Sequence, residues 1–272
     1  HRNPAGAASR WPARLSDAAP ATRVEPTSPI KGVVTAPSTT LVLATANPNK
    51  VAELVELLAD LPVDVVGRPD YVAEVEETGT TFAANADLKA VAVARAVGCW
   101  ALADDSGFET DALDGVPGVR SARFAADLMA SGDLTDADLV ASTASTTLPR
   151  TTAAGPDTVD EANRRALAVM LGRRPNDVDR ARFRCALSLA DPAGDVRLRS
   201  EGVVEGRVIT AGRGTLGFGY DPMFVPDDGD GATFAEMSRS AKAAISHRGR
   251  ALAALVEAME STGWPGGSDT RE

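Results

Sequence analysis

At 272 residues with 44% hydrophobic side chains, the chain is long enough to bury a substantial core as one large α/β domain or two small ones. Its formal net charge of -10 argues against a nucleic-acid backbone or an anionic membrane as main partner, so a phosphate ligand would need local cations or a bound metal. The two cysteines, Cys99 and Cys185, show no CxxC or metal-ligand spacing, which fits a reducing cytoplasm, and aromatics at 4% leave a core expected to be mostly Ala, Val and Leu.

Residues 1–38 are rich in Pro, Ala, Ser, Thr and Arg without apolar periodicity and read as a disordered extension. The folded unit is expected over 39–265, with a short tail at 266–272. Leu41-Val42-Leu43-Ala44 has the length of a buried strand and runs into Thr45-Ala46-Asn47-Pro48-Asn49-Lys50. Asn47 suits an N-cap and Pro48 a first helical position, and Val51, Leu54, Val55 and Leu58 then recur at helical spacing until Pro62. A strand ending at a capped helix start offers free N–H groups to an anion, with Lys50 in the first turn. It lacks the glycines and GK[ST] ending of a Walker A loop, and alone such a turn also describes an ordinary capped helix.

After Glu76-Glu77-Thr78-Gly79 the spacing predicts a helix over 81–97, closed by Gly98, with Phe82, Ala86, Ala90, Val93 and Val97 as its apolar stripe. Asn85 and Lys89, four apart, share a different face. The run 99–103 reads as a central strand that stops at Asp104-Asp105-Ser106-Gly107, placing two carboxylates where open α/β sheets hold ligands. Carboxylates there suit Mg²⁺, which prefers oxygen donors and substrate phosphates. Residues 126–157 read as a flexible insertion, rich in Thr, Ala and Ser over 141–156. Thr158 and Glu161 form a capping box for a helix ended by Gly172. Alternation of Phe183, Cys185, Leu187 and Leu189 predicts a strand, and 196–209 reads as two more.

The C-terminal third carries the densest signal. Gly214, Gly217 and Gly219 loosen a loop containing Phe218-Gly219-Tyr220-Asp221-Pro222, against which a planar group could lie. Lys242 is a flexible point charge suited to phosphate, and Arg248 a rigid fork suited to a carbonyl edge. Ser246 caps a final helix with the stripe Leu252, Leu255 and Met259.

These motifs occur in one order: Thr45 to Lys50, Glu76-Glu77-Thr78-Gly79, Ala103 to Gly107, Ser121-Ala122-Arg123-Phe124, Gly217 to Pro222, and Ile245-Ser246-His247-Arg248-Gly249. Over roughly residues 40–262, the insertion excepted, the chain resembles the inosine triphosphate pyrophosphatase family. The resemblance implies Mg²⁺-dependent hydrolysis of ITP, dITP and XTP to monophosphate and pyrophosphate. It also implies an elongated two-lobed α/β fold with a central twisted mixed sheet, an active site in the cleft between lobes, and a homodimer. By the same resemblance Asp105 is the proton acceptor and a metal-linked carboxylate. Glu76 is the second metal-side acid, with Glu77 and Asp104 as neighbours whose assignments could be exchanged. Thr45, Ala46, Asn47, Pro48, Asn49 and Lys50, with Lys89 and Lys242, match the triphosphate contacts, and Ser106 a substrate contact beside the base. Phe218, Gly219, Tyr220 and Asp221 match the loop that orients the base, and His247 and Arg248 the readers of its 6-keto edge. Two rivals stand beside this reading: a Maf-like pyrophosphatase for another modified nucleotide, and a non-catalytic nucleotide-binding protein.

Overall fold

A computed structural model describes residues 39–139, 158–174 and 179–264. The extension expected over 1–38, the Thr-rich stretch expected as a loop over 141–156, and the tail at 266–272 lie outside the described residues. Six strands form one mixed sheet in the order β2-β1-β3-β4-β5-β6. β1 (Thr39–Leu43) pairs parallel with both β2 (Val63–Gly67) and β3 (Trp100–Thr110). From β3 onward the ladder is antiparallel through β4 (Arg180–Ala190), β5 (Val196–Val208) and β6 (Phe224–Pro226).

Two helices follow the sequence signals closely. α1 (Pro48–Leu57) begins where the Asn47 side chain accepts the N–H groups of Asn49 and Lys50. α2 (Phe82–Val97) is capped by Thr81 and closed by Gly98 at φ 64°, a left-handed conformation that glycine adopts without a Cβ clash. α1 packs on one face of the sheet together with the last helix, α6 (His247–Thr262), through Leu54, Leu58, Leu252 and Leu255. α2 covers the other face through Ala86, Ala90 and Val93. α4 (Val159–Gly172) packs with α3 (Phe124–Ser131) over the antiparallel half, and α5 (Arg239–Ile245) precedes α6.

Three expectations change. The strand at 99–103 does not stop at the acid pair. β3 runs to Thr110 because β4 pairs with it throughout, Asp104 opposite Leu187 and Asp105 opposite Ala186. Residues 196–208 are one long strand, since β4 supplies a partner along its length, with a register irregularity only at Leu189/Ala190. The insertion expected from residue 126 begins inside α3. The core is mostly Ala, Val and Leu as expected, and five of the seven phenylalanines, Phe108, Phe124, Phe183, Phe224 and Phe234, gather in one cluster with Tyr220. Few aromatics therefore suffice to build a rigid floor at one place.

Candidate active site

Side chains alternate across a strand, so neighbours on β3 face opposite sides of the sheet. Asp104 lies on the side of α1 and α6, with Leu102, and Asp105 on the side of α2, with Ala101 and Ala103. This separates two acids that read as a pair in sequence.

Asp105 joins an oxygen-rich group built on α2. Lys89 Nζ lies 2.8 Å from Asp105 Oδ1 and 2.7 Å from Glu77 Oε1. Asn85 Nδ2 donates to Asp105 Oδ2 at 3.2 Å, while Asn85 Oδ1 accepts the Gly79 N–H at 2.8 Å and so ties the acidic loop to the helix. Burial raises the Asp105 carboxyl above its ordinary value, against the pull of Lys89 and with the help of the Glu77 charge. Burial also opposes ionisation of Glu77, yet Lys89 outweighs it and holds that carboxyl below its usual value. Lys89, although desolvated, is raised by its two carboxylates. Of the acids at 76 and 77, it is Glu77 that enters this group. Glu76 is exposed and lies outside it.

Asp104 is fully buried and spends its oxygens on cations and weak donors. Lys50 Nζ lies 2.5 Å away, Arg248 Nε donates at 2.9 Å, and the Cys185 thiol donates at 3.0 Å. Burial alone would raise this carboxyl, but Arg248 and Lys50 hold it well below the usual carboxylate range. Its oxygens thus anchor two cations.

A pocket of about 770 Å³ opens between Asp105 and the loop at 218–221. Asn47, Lys50 and Glu77 border one end; Phe218, Gly219, Tyr220, Asp221, Lys242, His247 and Arg248 border the other, with Ser106 between. Below it, Phe183 stacks on His247 with ring centroids 4.8 Å apart and planes at 10°, and Phe108 stacks on Tyr220 at 5.2 Å and 13°. A second pocket of about 890 Å³ adjoins the first at Asn47, Lys50 and Glu77 and adds Thr45, Ala46, Lys89, Arg68 and Arg123. Pro48 borders neither, and Asn49 faces a separate groove with Glu53 and Leu216.

Two cations at the loop end are held by carboxylates. Lys242 lies at the loop end, 2.6 Å from Asp221 Oδ2, 2.9 Å from Glu53 Oε1 and 4.9 Å from the Phe218 ring centre. α5 presents it to the loop and to α1, at the border of the pocket. Arg248 is buried with its fork on Asp104, Glu53 and Ser106, the last at 3.0 Å. Both Arg248 and His247 border the pocket, and the buried Nδ1 of His247 has no hydrogen-bond partner among the described residues. Burial, with Arg248 and Lys242 nearby, pushes this imidazole well below its ordinary value and keeps it neutral.

Sequence reasoning missed Glu53, the carboxylate shared by Lys242 and Arg248. Its one signal was its place a helical turn after Lys50. Phe183, Asp160 and Asn163 also border the pocket, and nothing but strand alternation and a capping box marked them.

The sequence pattern of the Ham1 family matches residues 41–154 and 148–258. A protein of Anaeromyxobacter sp. named dITP/XTP pyrophosphatase is 42% identical over 224 residues, covering 81% of this chain and 96% of the relative. One of the same name from Nitratidesulfovibrio vulgaris is 44% identical over 220 residues, covering 80% and 94%. The solved structure of a HAM1 protein from Coxiella burnetii superposes with a TM-score of 0.65 at 33% identity, covering 82% of this chain and 99% of that one. The chain belongs to the Ham1 family.

Proposed function

We propose that this protein is a pyrophosphohydrolase that converts the nonstandard purine triphosphates ITP, dITP and XTP to monophosphate and pyrophosphate, cleansing the nucleotide pool. The observation that carries the reading is one continuous cleft holding the Glu77–Lys89–Asp105 group at one end and an aromatic-floored slot at the other. The names of the relatives point to the same substrates.

Two carboxylates with no third ligating side chain grouped beside them, among the described residues, suit a cation that keeps waters and substrate phosphates in its shell. Mg²⁺ fits, with Glu77 and Asp105 as the residues that would hold it. Bound there, it would screen phosphate charge and make an attacking water more acidic. Asp105, its carboxyl raised by burial, accepts the proton of that water. Lys89 orients both carboxylates, and Lys50 with the amides at the start of α1 receives phosphate oxygens. At the other end, where His247 and Arg248 border the pocket, an N–H donor turned to the base pairs with a 6-oxo purine, whereas adenine's 6-amino group would set donor against donor. Leaving such groups unpaired costs about 1–3 kcal/mol each.

The family resemblance brings a homodimer with it, and the free thiols Cys99 and Cys185 accord with the cytoplasm. No helix among the described residues is long and apolar enough to cross a membrane. The test is pyrophosphate release from ITP, dITP, XTP, GTP and ATP, with Mg²⁺ and with excess chelator. The 6-oxo nonstandard substrates should turn over at least tenfold more efficiently than ATP, and chelation should abolish release. Equal turnover of ATP, or full activity in chelator, overturns the proposal.

A further inference from the structure

The loop at 218–221 is gripped from α4, a helix to which no role in the reaction has so far been given. Asp160 Oδ2 accepts the Gly219 N–H at 2.8 Å, and Arg164 Nη1 donates to the Gly219 carbonyl at 2.7 Å. Asp160 and Arg164 stand four apart and share one helix face, so they reach both ends of the same residue. Gly219 has φ 58° and open space where a Cβ would stand, and the same loop is also closed by Asp221, whose Oδ2 accepts the Phe218 N–H at 2.9 Å. α4 is itself fixed: Asn163 Oδ1 accepts the Ala125 N–H at 2.9 Å, and Asn163 Nδ2 donates to the Ala122 carbonyl at 3.0 Å. Tyr220 closes the same corner by donating to the Ser121 carbonyl at 3.0 Å.

We infer that Asp160 and Arg164 are positioning residues for base recognition, holding the Gly219 peptide so that Phe218 and the slot beside it keep the width and orientation that admit a 6-oxo purine. The inference rests on the proposed pyrophosphohydrolase activity and adds its specificity element. Both bonds are charge-assisted, which makes them about twice as strong as neutral ones and sensitive to loss of either charge. The grip acts on the loop end of the cleft, whereas Glu77, Lys89 and Asp105 are bound to one another at the other end. Losing it should therefore weaken substrate binding more than turnover.

The experiment compares kcat and KM for ITP and ATP in the parent, Arg164→Gln, Arg164→Lys and Asp160→Ala, with thermal midpoints measured alongside. For Arg164→Gln and Asp160→Ala, KM for ITP should rise about tenfold with a smaller change in kcat, and the ITP-to-ATP ratio of kcat/KM should fall about tenfold. Arg164→Lys, which keeps a cationic donor, should recover most of that ratio. An unchanged ratio in Arg164→Gln, or a parallel loss of kcat for both nucleotides with a lowered midpoint, overturns the inference and leaves α4 a purely structural support. If the parent itself shows no preference for ITP, the functional proposal fails instead, and the two failures are told apart by that first column of data.

Discussion

At the scale of the residue, the two acidic pairs divide their labour according to strand and loop geometry. Asp105 and Glu77 share Lys89, and Asp104 is committed to Lys50 and Arg248. Asp105→Asn keeps size and removes the basic lone pair, so kcat for ITP should fall about a hundredfold or more while circular dichroism stays that of the parent. Glu77→Gln should likewise be severe and Glu76→Gln mild, since Glu76 is exposed outside the group. Comparable losses in both would return the metal-side role to Glu76. Asp104 behaves differently: removing it takes from Lys50 the carboxylate at 2.5 Å and leaves buried Arg248 only Glu53 as a carboxylate partner, and breaking such a buried pair costs about 3–5 kcal/mol in stability.

At the scale of the element, α6 matters because it carries Ser246, His247 and Arg248 in its first turn. Ser246 Oγ accepts the Gly249 N–H at 3.1 Å, so the cap read from sequence does set the start of the helix. Its distance from the sheet is set by β5. A Cβ on Gly202 would stand 2.1 Å from the His247 carbonyl oxygen and 2.4 Å from the Ala251 nitrogen, both backbone atoms that cannot turn aside. Gly202→Ala should therefore cost about 3 kcal/mol or more, at the upper end for overpacking, and lower kcat/KM for ITP by displacing His247. A urea midpoint equal to the parent's would show that α6 can slide, and that its contact with β5 does not place the imidazole. At Gly217 the constraint is different: φ is 73°, which a side chain rarely adopts, and an added Cβ would meet the Asp221 carboxylate at 2.1 Å.

At the scale of the whole molecule, the buried His247 links stability to pH. Its folded value lies well below the ordinary one, so the unfolded chain takes up the proton first as pH falls. The stability tied to neutral His247 is complete above about 6.5 and is lost progressively below that, toward the depressed folded value. The other histidine is His1, outside the described residues. Urea midpoints between pH 7.5 and 5.5 should fall in the parent, and His247→Gln should flatten that fall. Parallel slopes in the two proteins would mean that other groups govern acid sensitivity. The buried carboxyls of Asp105 and Asp221, both raised by burial, act in the opposite direction and are common to both proteins.

Much of this molecule is legible in local rules. The caps at Asn47, Thr81, Thr158 and Ser246, the left-handed stop at Gly98, and the glycine-loosened loop at 217–219 depend on a few adjacent residues, and the structure keeps each of them. Asn85 and Lys89 share a helix face by spacing alone, and both reach Asp105. What adjacency could not supply was pairing. β3 continues through the acids because β4 lies beside it, and that continuation, with its alternation, sends Asp104 and Asp105 to opposite faces. Lys242 and Arg248 turn inward because Glu53, 189 and 195 residues earlier, waits between them. The reach of α4 to Gly219 spans 55 and 59 residues. A side chain's type states which charges and hydrogen bonds it must satisfy on burial, but only the packed chain decides which partner satisfies them, because buried polar groups take the nearest complementary group in space regardless of its distance in sequence.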